Sequence, residues 1–341
     1  MTGPALVTGG SGFVGGALLE RLVADGREVR ALARSDEAAA TVSERGATPV
    51  AGDVLDLDGL ADATQGCEIV FHAAGVNAMC LRDPRPMLRA NVEGSGNVIV
   101  AARRAGVRRV VYTSSASAIG EPHGTVGRED SPHRGSFLSS YERSKYLAER
   151  RVLAWSEGLG VDVVCVNPSS VQGPGRTGGS ARLLLDLANG RLPVLVDATL
   201  SIVDVADCTQ AHVLAEARGT PGERYLVSGV TLTMREAVKL LRAVAGVPER
   251  ARFVPSWVVR AGGSAIEVVS RVARRDPPVC REAVRTLLHG HRYDGSRAER
   301  ELGLRYTPLE DTLVRTLTWY AERGLTPPPR GPGSRPSEAA P

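Results

Sequence analysis

The sequence predicts an α/β protein: a doubly wound parallel sheet covered by helices on both faces, followed by a smaller, mainly helical C-terminal lobe. Three observations carry this. Short runs rich in Val, Ile and Ala alternate with longer segments of helical periodicity through the first 169 residues. The runs are apolar at successive positions rather than at every second one, as strands buried on both faces must be. Beyond Pro168 the alternation stops, and helical segments follow one another.

In chain order, "PALVTG" (4–9) reads as the first strand and "FVGGALLERLVADG" (13–26) as a helix closed by Gly26. "EVRALAR" (28–34), "TPVAGDV" (48–54) and "CEIVFHAAG" (67–75) supply the next three strands. A helix is expected over about 86–105, then a strand at "RRVVYTSS" (108–115), a helix from Tyr141 to about Leu159, and a strand at "VDVVCVNPS" (161–169). "SVQGPGRTGGS" (170–180) reads as a glycine-rich loop. Helices are expected near 181–190, 204–218, 233–245, 256–273 and 308–323, with "GERYLVSG" (222–229) returning as one more strand of the main sheet. The expected division is a first domain over 1–169 that takes back 201–229, and a lobe from 170–200 and 230–325. The Pro-rich stretch 326–341, almost without large apolar residues, is expected to be disordered.

Composition narrows the partners. Of the 341 residues 43% are hydrophobic and 23% charged, close to the averages of soluble globular proteins. The net charge is only +4, the arginines are dispersed, and aromatics at 4% offer few stacking platforms, which argues against nucleic acid. No apolar run reaches 18 residues and no basic leader opens the chain, so no membrane span is expected, and a cytoplasmic location is. Cys67, Cys80, Cys165, Cys208 and Cys280 form no CxxC pair, are odd in number and have apolar neighbours. They read as buried reduced thiols rather than bridges or metal ligands, and no metal is expected.

The first strand runs directly into "TGGSGFVGG". Gly9, Gly12 and Gly15 fit TGxxGxxG, while Gly10, Gly12 and Gly15 fit GxGxxG. Such glycines serve a tight turn, a close approach of backbone to pyrophosphate, and close packing of helix on strand. The helix N-terminus then offers unpaired N–H groups to the phosphates. Between a strand and a helix, this loop predicts dinucleotide binding in a Rossmann arrangement. At the end of the second strand Arg34 suits the 2′-phosphate of NADP, although Asp36 nearby would suit the 2′-hydroxyl of NAD. Asp53 and Val54, past the third strand, are placed to border the adenine; Asp53 reads equally as a turn or capping residue.

In "SSYERSKYLAERR" (139–151), Tyr141 and Lys145 are four apart and share a helix face. A free phenol ionises near pH 10. A cation within about 4–6 Å lowers that by roughly 1 to 3 units, towards the range in which a general acid or base works. Lys145 is expected to do this to Tyr141.

"TGGSGFVG", "GDVLD", "VFHAAG", "NVEGSGNV", "VVYTSSAS", "YERSK" and "NPSSVQGPG" together resemble the extended short-chain dehydrogenase/reductase family in order and approximate spacing, over about residues 3–325. The resemblance implies that Tyr141 is the catalytic acid/base, that Lys145 lowers its pKa and holds the nicotinamide ribose, and that Ser115 orients the substrate oxygen. Ser114, its neighbour, should face the other side of the strand. It further implies a cofactor site made of Thr8, Gly9, Gly12, Phe13, Val14 and Gly15 in the loop, Arg34, Asp53 and Val54, Ala73, Ala74 and Gly75 under the cofactor, Asn91, and Asn167, Pro168 and Ser170 beside the nicotinamide, with Tyr141 and Lys145 completing it. Asn91 reads as structural as readily as functional.

Within the family, Ser115-Ala116 stands where the similar dehydratases carry an Asp-Glu pair. Leu200 lies near the position of a phosphate-gripping arginine of epimerases, although Arg176, Arg182 or Arg252 could replace it. The C-terminal segments "VPSWVVRAGG", "DPPVCREAVRTLL" and "YDGSRAERELGLRYTPLEDTLVRTLTWY" are similar to the dihydroflavonol-reductase and 3β-hydroxysteroid-dehydrogenase branch. The implied activity is NADP(H)-dependent interconversion of a ketone and a secondary alcohol on a fairly apolar, cyclic small molecule, with NAD as the other cofactor choice. An NAD-dependent nucleotide-sugar epimerase is the alternative, and a non-catalytic dinucleotide sensor a second one. A homodimer through the helices near 86–105 and 141–158 is expected by family analogy.

Overall fold

The computed structural model describes residues 3–192, 194–246, 252–273, 277 and 279–329. Its first half alternates β1 (Ala5–Thr8), α1 (Phe13–Ala24), β2 (Val29–Ala33), α2 (Asp36–Glu44), β3 (Thr48–Ala51), α3 (Leu57–Thr64), β4 (Ile69–His72), α4 (Arg85–Leu88), α5 (Gly94–Ala105), β5 (Arg109–Thr113), α6 (Ser140–Leu159) and β6 (Asp162–Pro168). Then come β7 (Ser170–Gln172), α7 (Ser180–Ala188), β8 (Val194–Val196), β9 (Thr199–Asp204), α8 (Val205–Arg218), β10 (Arg224–Val227), β11 (Val230–Thr233), α9 (Met234–Ala245), β12 (Arg252–Val254), α10 (Ser256–Val272), α11 (Arg281–His289) and α12 (Leu309–Glu322).

Seven strands form one parallel sheet in the order β10-β6-β5-β4-β1-β2-β3. The strand order reverses between β1 and β4, which opens a crevice at the carboxyl ends of the strands. Side-chain alternation explains the apolar runs. Ala5, Val7, Ile69, Phe71, Val111 and Val164 pack with Leu18, Leu19 and Leu22 of α1 and Cys208, Ala211 and Ala215 of α8. Leu6, Val70, Val110, Tyr112 and Val163 pack the other way, on Leu60 of α3, Ile99 of α5 and Val152 of α6. Each fully buried aliphatic side chain contributes about 1.5–3 kcal/mol. Neither face could therefore be made polar without loss of the sheet.

The strand at 222–229 is β10, and it joins the main sheet beside β6. The C-terminal part is less purely helical than expected. The glycine-rich stretch begins with β7, which pairs with β9 and then β11 in a three-stranded sheet, and β8 pairs with β12. The helix expected over 86–105 is divided into α4, a π-helical turn at Arg89–Glu93, and α5. Of the tail expected over 326–341, Thr326 is buried against the fold, and 330–341 lie outside the described residues.

The cysteine expectation fails at two positions. Cys67, Cys165 and Cys208 are buried free thiols, but Cys80 and Cys280 form a disulfide with Cα atoms 5.5 Å apart. Their sequence separation of 200 is what hid the pair. A loop of that length constrains the unfolded chain by roughly 5 kcal/mol on the chain-entropy account. The bond ties the segment after β4 to the start of α11, and Glu282 of α11 accepts hydrogen bonds from the N–H (3.0 Å) and Oγ (2.7 Å) of Ser140 at the head of α6. The C-terminal part is thus fastened beside the helix that carries Tyr141.

Candidate active site

The loop after β1 is shaped by contacts that only glycine allows. Gly9 has φ of +77°, and a Cβ there would stand 2.7 Å from the Ala74 nitrogen; one on Gly15 would stand 2.2 Å from the Gly9 oxygen. Gly12 caps α1 without a side-chain hydrogen bond, so the N–H groups of Phe13, Val14 and Gly15 lack intrahelical partners and are free to take an anion. The cradle fits a pyrophosphate, and a side chain at Gly9 or Gly15 would push the loop off the backbone that shapes it. Thr8 acts from behind the loop: its hydroxyl lies 2.7 Å from His72 Nδ1 and accepts from the Ala74 N–H (3.2 Å). Burial lowers the His72 pKa to about 3, so this imidazole is a neutral structural group.

The other expected cofactor residues lie along the same carboxyl edge. Arg34 is exposed just past β2, and Ser35 after it caps α2, its Oγ accepting from the Ala38 N–H (3.2 Å). Asp36 lies in the first turn of α2, also exposed. Asp53 uses Oδ1 to accept from the Leu55 N–H (2.9 Å), which realises the turn reading. Val54 is buried against Gly94. Ala73, Ala74 and Gly75 leave β4 into the crevice, with Gly75 exposed. Asn91, on the π-helical turn, is buried and fully engaged: Oδ1 accepts from the Val76 N–H (2.7 Å), and Nδ2 donates to the Val76 carbonyl (3.0 Å) and to Ser144 Oγ (2.9 Å). The structural reading of Asn91 is the one these bonds support.

Ser115, Tyr141 and Lys145 converge past the end of β5. Ser139 caps α6, its Oγ accepting from the Glu142 N–H (3.1 Å), which sets Tyr141 in the first turn and Lys145 one turn on. The Ser115 hydroxyl stands near enough to the Tyr141 phenol to lower its pKa, and it accepts from Ser117 Oγ (2.9 Å). Ser114 is buried. Asn167 donates to the Ser115 carbonyl (3.1 Å), while Ser170 accepts from Gln172 Nε2 (3.1 Å). Pro168 is buried at the end of β6.

The electrostatics differ from the expectation. Burial pushes the Tyr141 phenol upward, and the groups that draw it back are the Ser115 hydroxyl and the Arg176 guanidinium. Lys145 sends its Nζ to the Thr113 carbonyl (2.9 Å) and stands over the Tyr112 ring. Its own ammonium is penalised by burial, and its pKa falls to about 8 despite the opposing charge of Glu149. An unfolded lysine holds its proton to about 10.5. Between those values the unfolded chain binds more protons, so folding stability rises with pH through that window, and below pH 8 the burial penalty is present in full. Lys145→Met is accordingly expected to stabilise the cofactor-free protein at pH 7 by up to roughly 3 kcal/mol and to flatten this pH dependence. Denaturant titrations of both proteins at pH 7 and pH 10 check it; an equal or lower stability at pH 7 refutes the penalty.

Two contributors, Arg45 and Glu149, escaped the sequence reading, and Arg176 entered it only as a substitute for a phosphate-gripping arginine. Arg45, in the turn after α2, donates from Nη1 to the Gly10 (2.6 Å) and Gly12 (3.3 Å) carbonyls and so braces the glycine loop from outside. Glu149 accepts from Asn167 (2.5 Å) and from Arg224 (2.9 Å), fixing the amide next to Ser115. Arg176 stacks on Phe13 at 5.6 Å and thus faces both the loop and Tyr141. Only the helical i,i+4 spacing of Lys145 and Glu149 could have signalled one of them.

Residues 5–228 match the model of the NAD dependent epimerase/dehydratase family. The chain is 32% identical to Sterol demethylase protein B of Methylococcus capsulatus, covering 94% of this chain and 99% of that one. It is 28% identical to the 3-beta-hydroxysteroid dehydrogenase of Mycolicibacterium neoaurum, over 94% and 92%. The crystal structure of DesIV, a dTDP-glucose 4,6-dehydratase from Streptomyces venezuelae with NAD and TYD bound, superposes with a TM-score of 0.77 at 25% identity, covering 95% of this chain and 99% of that one.

Proposed function

Since the chain belongs to the NAD dependent epimerase/dehydratase family and is an NAD(P)-dependent short-chain dehydrogenase/reductase of the extended type, we propose that it uses NADP(H) to interconvert a ketone and a secondary alcohol on a fairly apolar, cyclic small molecule. The observation that carries this reading is the convergence of Ser115, Tyr141 and Lys145 beside the glycine cradle at the carboxyl edge of the sheet. The bound nicotinamide supplies or accepts the hydride. Ser115 holds the substrate oxygen, and Tyr141 gives it a proton in reduction or takes one in oxidation. Lys145, its Nζ held by the Thr113 carbonyl, positions the ribose side of the cofactor.

The absence of an acidic pair at Ser115-Ala116 speaks against water elimination. Leu200, paired with Leu232 across β9 and β11, gives no cation to a sugar nucleotide. Arg176 favours the second reading, an NAD-dependent nucleotide-sugar epimerase, because it brings a half-buried cation to Tyr141. Nucleotide released on denaturing the purified protein separates the two: stoichiometric NAD supports the epimerase, and an empty protein that binds NADPH saturably supports the reductase, after which cyclic ketones are assayed.

Cofactor choice rests on Arg34. Arg34→Ala is expected to weaken NADPH by roughly tenfold to a hundredfold and NADH by little, since one charge-assisted hydrogen bond to the 2′-phosphate is lost. Fluorescence titrations with both cofactors check this, and equal losses would place the 2′-phosphate elsewhere.

A homodimer through α5 and α6 and a cytoplasmic location belong to the same proposal. Among the described residues no helix is long and apolar enough to cross a membrane.

A further inference from the structure

Sequence reading expected no metal, but the fold gathers an acidic residue and two histidines that lie 168 and 170 positions away from it. Glu121 follows the 3₁₀ turn Ala116–Ile119 past β5; His289 ends α11, and His291 lies two residues on. Each offers one ligand atom, and all these atoms lie within 4.8 Å of one another. Glu121 is 1% exposed and His289 9%.

The hydrogen bonds within this group do not balance. Glu121 Oε1 lies 2.6 Å from His291 Nδ1 and 3.4 Å from His289 Nε2, while the buried Oε2 of the same carboxylate has no partner. His291 Nδ1 is also 2.9 Å from the Tyr293 hydroxyl, so a single ring nitrogen faces two oxygens. A buried carboxylate with one oxygen unserved is costly. Arg134 donates to the Glu121 carbonyl (3.2 Å) but is ion-paired with Glu142, which matches its charge locally.

We propose that Glu121, His289 and His291 bind one divalent transition-metal ion of the Zn²⁺ type. Two imidazoles and a carboxylate are a favourable set for such an ion, and three protein ligands leave a fourth position for water. Metal–ligand bonds of about 2.1 Å place tetrahedral ligand atoms roughly 3.4 Å apart, so small side-chain rotations bring the group from its present spacing to a coordinating one. Neighbours orient the ligands from outside. The His123 Nδ1 lies 3.1 Å from the His289 carbonyl, and Ser201 Oγ donates to the His291 carbonyl (3.1 Å). The His291 side chain, 17% exposed, leaves a way in from solvent. The ion needs the lone pair of the ligating His291 nitrogen, so a proton on that nitrogen has to move to the other ring nitrogen or to solvent as the ion enters. Its consequence is structural: it joins the segment after β5 to the end of α11.

The test uses the full-length, tag-free protein after exhaustive chelation, titrated with Co²⁺ and then Zn²⁺. The expected result is one Co²⁺ per chain with a visible absorption band of tetrahedral type, abolished by one equivalent of Zn²⁺, and a Zn²⁺-dependent rise in Tm. Glu121→Gln, which keeps the shape of the side chain, and His291→Ala should each weaken Co²⁺ binding at least tenfold. A wild-type protein without the absorption band, or variants that bind as tightly as it does, overturns the proposal. If Glu121→Gln does not fold, His291→Ala on the rim of the site and the wild-type spectrum still decide.

Discussion

Tyr141→Phe leaves NADPH binding nearly unchanged and slows turnover by about 10²–10⁴-fold, the usual worth of a positioned general acid. The substitution removes a hydroxyl and nothing else. The ring keeps its place in the first turn of α6, because the Ser139 cap and the Glu282 contact with Ser140 are made by other residues. Ser115 keeps its bond to Ser117 and can still hold a substrate oxygen. What disappears is the phenol hydroxyl whose pKa the neighbouring Ser115 hydroxyl lowers. Steady-state rates with the best ketone found, together with NADPH fluorescence titration, measure both halves. A rate within a few-fold of wild type would mean that the proton comes from water or from another side chain, and the proton role assigned to Tyr141 would be withdrawn.

Gly15→Ala is expected to cost at least a hundredfold in dinucleotide affinity, about 3 kcal/mol. The added methyl would lie 2.2 Å from the oxygen and 2.7 Å from the carbon of Gly9, backbone atoms that no side-chain rotation can remove. The loop cannot retreat either, because Gly9 is itself pressed against the backbone at Ala73 and Ala74. Overpacking of this kind also destabilises by about 1–3 kcal/mol, which circular dichroism and thermal melting register separately from binding. Gly26→Ala is the control: it too has a positive φ, +76°, but no atom stands within 4 Å of the new methyl, so it should lose a little stability and no affinity. Equal NADPH affinity in Gly15→Ala and wild type would remove the pyrophosphate from this loop.

The parts of the molecule legible in the sequence are those whose signal is local. Strands such as Ile69–His72 are apolar on both faces because both faces are covered, and the glycine loop is a run of nine residues whose meaning lies in its own spacing. Weakly amphipathic or very short elements escaped. α2 buries only Val42, and β7, β8 and β12 are three residues each, too short to show a period. Helical spacing fixes the face that Lys145 shares with Tyr141 but not where a long side chain ends; the Thr113 carbonyl decides that. Arg45, the Cys80–Cys280 bond and the Glu121 cluster depend on contacts across the fold, for which the linear sequence carries no pattern.

The Cys80–Cys280 bond divides the polypeptide into a ring with two tails. Ser115, Tyr141 and Lys145 lie on the ring, the glycine loop and Arg34 on the N-terminal tail, and α12 on the C-terminal one. A protease that nicks the surface segment between β7 and α7 opens the ring without releasing anything. The two pieces remain one molecule on a denaturing gel until a thiol reagent is added. Tyr141, Lys145 and Ser115 therefore travel together through any single cut, whereas a cut between β2 and β4 detaches the glycine loop from them once the fold loosens.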